Sequence, residues 1–132
     1  MSAIEQVLEA AAKIVDDFGH HRTAEYFSGF SPDATFMFYT HSSRLDSREA
    51  YQDLWAKWEA EDGFKVHGCR SRNQMVQLIG SDAAVFTHLV SSDIEFAGEV
   101  STVEERETIV FAKLGSSWLA VHEHLSPNTP ES

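Results

Sequence analysis

Cysteine occurs once in this chain of 132 residues, at Cys69, so no intrachain disulfide can form and a reducing compartment is the natural setting. Proline is scarce, and two of the three prolines, Pro127 and Pro130, fall in the last few residues, so the body of the chain is free to form regular elements. Basic residues are few: ten Lys and Arg stand against 21 Asp and Glu, for a net charge of −11. Such a surface repels phosphate backbones and argues against nucleic acid and anionic membranes as partners; Arg70 and Arg72 make only a small local exception. No apolar run approaches membrane-spanning length, and the N-terminus has neither the basic region nor the apolar stretch of a signal peptide. A cytoplasmic protein without membrane partners is the expectation.

The chain length suits one domain with a core of its own, and the 42% hydrophobic share is that of an ordinary globular protein. The expected domain is 1–127, with a loose tail over 128–132. Ser2 and Glu5 have the spacing of a capping box, and Ile4, Val7, Leu8, Ala11, Val15 and Phe18 recur at helical spacing until Gly19. Thr23 to Phe30 reads as a short second helix broken by Ser31-Pro32-Asp33. A strand over 34–40, with Ser43 to Leu45 as a short partner, precedes a third helix. That helix has a capping signal at Asp46 and Glu49, carries Tyr51, Leu54, Trp55 and Trp58, and ends at Gly63. His20 and His21, just past the first helix, are expected in solvent.

From Phe64 onward the pattern changes to long strands, 65–79, 83–96, 99–114 and 117–126, separated by Gly80-Ser81, Ala97-Gly98 and Gly115-Ser116. Helices first and an antiparallel meander afterwards is an α+β plan, with the helices covering one face of a strongly curved sheet. Gly68 and Gly80 are candidates to accommodate the bending.

The most informative segment is the last strand. Alternation places Trp118, Ala120, His122, His124 and Ser126 on one face, and Leu119, Val121, Glu123 and Leu125 on the other. Two-residue turns pair Leu114 with Ser117 and Phe96 with Glu99. Continued along the strands, these registers oppose Glu107 to both His88 and His124, in one row across three strands. Phe86, Ile109 and His122 flank the row on one side; Val90, Glu105 and Ser126 flank it on the other. Both faces carry apolar residues, so the face away from the helices needs a second cover, most simply another subunit. A one-residue bulge anywhere in this path exchanges the faces.

A carboxylate beside an imidazole orients it and raises its basicity, which suits acid–base chemistry near neutral pH. The same row is equally a satisfied buried polar network. His122 and His124 with Glu107 have the composition of a two-histidine, one-carboxylate metal set, but no conventional metal motif is present, and no metal or cofactor is expected. Cys69 reads as a packing residue on a strand, with a catalytic thiol as the alternative.

The helices, the bent sheet and the closing run Trp118-Leu-Ala-Val-His122-Glu-His124-Leu-Ser126, preceded by Glu107-Thr108, resemble the nuclear transport factor 2-like (NTF2-like) superfamily with its cystatin-like fold. Within it the chain is most similar to SnoaL-like proteins and the association domain of calcium/calmodulin-dependent protein kinase II. The resemblance covers residues 3–127 and implies a cone in which three helices and a curved antiparallel sheet enclose a pocket, with dimers formed by packing sheets together. Tyr26 matches a pocket tyrosine of the kinase association domain. That domain holds small carboxylates with two strand arginines, and Val90 and Ile109 stand at the matching positions here. The expected function is therefore binding of a small organic molecule by a homodimer, without a cofactor. The ligand-binding residues would be Tyr26, Trp55, Phe86, Val90, Ile109, His122 and Ser126, and the catalytic ones His88, Glu107 and His124. The alternatives are an isomerase, dehydratase or cyclase using His124 or His88 with Glu107, and a purely structural oligomerisation domain.

Overall fold

The computed structural model describes residues 1–129; the remainder of the tail expected over 128–132 lies outside the described residues. Helix α1 (Ala3–Gly19) starts on the expected capping box: Ser2 Oγ accepts from Glu5 N–H, and the Glu5 carboxylate accepts from Ser2 N–H, each at 3.1 Å. Helix α2 (Thr23–Ser28) follows, then β1 (Phe30–Met37), α3 (Arg48–Asp62), β2 (Lys65–Ile79), β3 (Ala83–Phe96), β4 (Glu99–Leu114) and β5 (Ser117–Pro127). The N-cap of α3 is Ser47, whose Oγ accepts from Ala50 N–H, rather than Asp46.

The five strands form one sheet in the order β1-β5-β4-β3-β2. Every junction is antiparallel except β1 with β5, which is parallel, a pairing that a reading of consecutive hairpins misses. Strand β1 begins earlier than expected. Ser31-Pro32-Asp33 does not interrupt it, because the sheet register shifts between Phe30 and Thr35, and Pro32, lacking an N–H, sits in that gap on an edge strand. Ala34, Phe36 and Phe38 alternate into the core, and Leu45 closes against Phe36 through a single bridge.

The inner face of the sheet packs on the helices through Ala84, Phe86, Ile109, Phe111 and Ala120, all fully buried, while the aromatic residues of α2, α3 and β1 fill the space above. His21 departs from its expected solvent position. It sits half-buried at positive φ; its Nε2 lies 2.7 Å from Glu59 and its Nδ1 accepts from Val66 N–H at 2.9 Å. This imidazole therefore ties the end of α1 to α3 and to the start of β2.

Three irregularities curve the sheet. His67 is unpaired between Val66 and Gly68, and Asn73 (φ 54°) and Gln74 bulge out of β2 opposite His88. Gly68 thus lies at a bend as expected, whereas Gly80 (φ 65°) belongs to the β2–β3 turn. In β5, Val121 is inserted between Ala120, paired with Phe111, and His122, paired with Val110. This last bulge decides the character of the site.

Gly29 forms the joint that holds α1, α2 and β5 together. Its carbonyl accepts from Ala120 N–H at 2.9 Å, and a Cβ placed on it would lie 2.8 Å from Ile14 Cγ1 on α1. Gly29→Ala should destabilise the fold by about 1–3 kcal/mol through overpacking. Urea denaturation measures this; an unchanged midpoint would show that α1 is free to move off the joint.

Candidate functional site

Hairpin geometry places the first half of the site as expected. Strands β3 and β4 keep one unbroken register, pairing His88 with Glu107, Phe86 with Ile109 and Val90 with Glu105. His88 is buried, with Nε2 2.6 Å from Glu107 Oε1 and Nδ1 2.5 Å from Ser71 Oγ, and Gln74 donates to the same Ser71 oxygen at 2.9 Å. A hydrogen-bonded chain therefore runs from the β2 bulge through His88 to the Glu107 carboxylate.

The third member differs. The turn pairs Leu114 with Ser117, but the Val121 bulge then puts Thr108, not Glu107, opposite His124. Face assignments reverse beyond that point, so Glu123 and Leu125 turn inward while His122, His124 and Ser126 turn outward. His124 is exposed, and His122 is tied to β1 by Thr35 Oγ1 at 2.8 Å. The expected row of three is corrected to a pair, with Glu123 diagonal to Glu107 on the inner face. Glu107 lies on the other side of the sheet from the two outward imidazoles, so the three groups weighed as a metal set do not converge.

Parallel pairing with β1 stabilises this arrangement. Phe36, fully buried, is in register with Glu123, so the strand phase that buries Ala34, Phe36 and Phe38 also turns Glu123 inward. The β1 alternation was the available signal, but it is usable only once β1 is known to lie beside β5.

Below the helices the inner face opens into two adjoining hollows. A small inner chamber of about 60 Å³ is bounded by Tyr26, Tyr51, Cys69, Glu105, Glu107 and Glu123, with Val90 and Leu125 beside them. It shares Phe18, Tyr51, Ser92, Glu105 and Leu125 with an outer vestibule of about 340 Å³, walled by Phe38, Trp58, Phe64 and Phe96. Tyr39 stands at the mouth and donates to Glu105 at 2.8 Å.

Of the expected ligand contacts, Tyr26 and Val90 line the chamber; Phe86 and Ile109 are fully buried core beneath it. Trp55 is also core, packed edge-on against Phe27 and Phe64, and it is Trp58, one helical turn on, that reaches the vestibule. His122 and Ser126 lie outside. Ser126 and His124 line a groove on the convex face with Arg106 and Asn73, and His88 and Glu107 also contribute to its lining.

Electrostatics divide the inner acids into opposite roles. Burial pushes the Glu123 carboxyl well above the usual carboxylate range, reinforced by the charge of Glu107 and by the hydrogen bond between the two. Burial also acts upward on Glu107, but hydrogen bonds from Glu123 and His88 outweigh it and hold Glu107 below its ordinary value. The pair thus holds one proton, carried by Glu123 and directed at Glu107. Glu105 is raised, chiefly by burial, although Tyr39 offsets part of this. Glu123 is only 3% exposed, and its Oε1 has no hydrogen-bond partner among the described residues. The Tyr26 and Tyr51 hydroxyls lie 3.1 Å apart, so one donates to the other. Burial lifts the Cys69 thiol to about 11, which keeps it neutral and poorly nucleophilic near pH 7 and supports the packing reading.

A curved sheet under N-terminal helices with a hollow between them defines the NTF2-like, cystatin-like fold. The SnoaL-like domain model matches residues 4–130, and the chain belongs to that family. An NTF2-like protein of unknown function from Prochlorococcus sp. NATL2A is 17% identical with a TM-score of 0.79, covering 99% of this chain and 97% of that one. The calcium/calmodulin-dependent protein kinase II hub homology domain of a Chlamydomonas alga (C. reinhardtii) is 18% identical with a TM-score of 0.75, covering 98% and 100%. A ketosteroid isomerase-like protein from Erwinia carotovora is 14% identical with a TM-score of 0.79, covering 96% of both chains. No curated protein matches the chain in sequence. At these identities the structural likenesses establish the fold alone. Among the described residues no helix is long and apolar enough to cross a membrane.

The protonation split has a measurable consequence for stability. A group whose folded pKa lies above its unfolded value of 4.5 loses stabilising effect as pH rises beyond that value, because the unfolded chain ionises first. Glu123→Gln keeps a donor for Glu107 and removes this titration. The variant should therefore gain stability relative to the parent from about pH 4.5 upward, by up to about 1.4 kcal/mol per pH unit while Glu123 stays protonated. Chemical denaturation across pH checks it; parallel curves would contradict the raised carboxyl.

Proposed function

We propose that this domain binds a small organic molecule whose apolar body fills the aromatic vestibule and whose polar end reaches the acid pair in the inner chamber. The observation that carries the reading is that the two hollows adjoin, with Phe18, Tyr51, Ser92, Glu105 and Leu125 in the walls of both. The vestibule has the size and apolar walls of a ligand site, and a few convergent polar groups lie at its inner end. No cofactor is invoked.

A second reading, an isomerase-, dehydratase- or cyclase-type enzyme, is favoured by the opposed protonation of Glu107 and Glu123. An ionised carboxylate beside a protonated one supplies a proton acceptor and a proton donor in one dry site. In that reading Glu107 is the base and Glu123 the acid. His88 does not line the chamber and acts as a positioning residue through Glu107. His124, on the outer face, has no part in this mechanism.

The domain also self-associates, in this proposal, as a homodimer through the outer face of the sheet. Met37 and Met75 are 44% and 52% exposed there, beside half-buried Leu89 and Val110. Similarity to proteins described as association domains supports oligomerisation, and the lone cysteine supports a reducing, cytoplasmic setting.

Two variants separate these claims. Ser92→Phe at the boundary between the hollows should abolish thermal stabilisation by any compound that stabilises the parent in a screen of aromatic and polyketide-like molecules. Retained stabilisation would place the ligand elsewhere. Val121→Asp on the sheet should halve the mass seen by sedimentation, and an unchanged mass would remove the sheet from the interface.

A further inference from the structure

We infer that the ligand is a cation: the two hollows fit a small amphiphilic amine, bound as its ammonium with the charged group in the inner chamber and the apolar body among the vestibule aromatics. This rests on the binding reading above and specifies its chemistry.

Four observations converge on a cation. First, among the described residues those around both hollows include Glu105, Glu107 and Glu123 but no Lys, Arg or His. Second, Glu123, 97% buried, lines the chamber, and its Oε1 has no hydrogen-bond partner among the described residues, so this carboxyl has acceptor capacity that an ammonium in the chamber would use. Third, the walls outside the acids are aromatic, with Phe18, Phe38, Tyr51, Trp58, Phe64 and Phe96 offering apolar area that covers the body of an amphiphile. Fourth, the inner volume of about 60 Å³ accommodates an ammonium group or a few waters, while the vestibule at about 340 Å³ accommodates an aryl or alkyl body.

An anion would meet the opposite conditions. Its charge would face the ionised Glu107 across a low-dielectric space with no basic side chain lining it. A neutral hydroxyl could satisfy Glu123 Oε1 but would gain nothing from the negative potential.

Isothermal titration with three probes of nearly equal shape tests the inference: 2-phenylethylamine, 2-phenylethanol and phenylacetate. The amine should bind at least about tenfold more tightly than the alcohol, as a charge-assisted hydrogen bond exceeds a neutral one, and phenylacetate should bind weakest. Glu107→Gln should lower the ratio of amine to alcohol affinity about tenfold or more, and the alcohol binding that remains reports that the pocket has folded. Glu105→Gln, which keeps an acceptor for Tyr39, serves if that variant does not fold and should weaken the amine in the same selective way. Equal or tighter binding of the alcohol or the carboxylate, or amine affinity indifferent to both substitutions, would overturn the cation inference and leave the pocket standing. No binding of any probe would overturn both the inference and the binding reading.

Discussion

The contact between Glu107 and Glu123 organises the interior of this protein. Two carboxyls at the bottom of an apolar cone are costly if both ionise, since no basic side chain among the described residues lines the chamber to offset the charge. Sharing one proton relieves that cost. His88, fixed from behind by Ser71 and Gln74, settles which carboxyl keeps the negative charge. The surrounding architecture serves this arrangement: the β2 bulge at Asn73 bends the strand opposite His88, the Val121 bulge brings Glu123 inward, and the helices cover the inner face.

Helices and aromatic residues then determine what reaches the pair. Phe18 at the end of α1, Tyr51 and Trp58 on α3, and Phe64 and Phe96 at the strand ends form a vestibule that is apolar except for Glu105 and the Tyr39 hydroxyl. Within a fold that hosts many unrelated functions, such local features and not the cone itself carry the functional argument. Here they are an acid pair with divided protonation, an unsatisfied acceptor and an aromatic entrance.

Much of this was legible in the chain before any coordinates. Helical periodicity, the capping residues at Ser2, and glycines at the hairpin turns located the helices and the long strands of a curved sheet, and the family resemblance implied the cone. The β3–β4 register followed from the Ala97-Gly98 turn alone, which is why His88 and Glu107 meet as expected. The β5 side was not legible, because Val121 carries no mark of a bulge: valine fits a regular strand as well as an irregular one, and one inserted residue exchanges every later side chain between faces. His122, His124 and Ser126 consequently moved outside, and Glu123, read as an outer residue, became the centre of the site. Trp58 took the pocket position expected of Trp55 for a smaller reason. Three residues along a helix is a turn of roughly 300°, enough to separate core from vestibule, and amphipathic spacing alone does not resolve it.

The account stands on a neutral Glu123 hydrogen-bonded to an ionised Glu107. Carbon-detected NMR of the side-chain carboxyls, followed through a pH titration with Glu107→Gln and Glu123→Gln as assignments, observes this directly. The prediction is that the Glu123 resonance keeps its protonated shift well above the ordinary carboxylate range while Glu107 titrates below it. Two independent transitions near the ordinary value of 4.5 would contradict the shared proton and, with it, the inward placement of Glu123 on which the site is built.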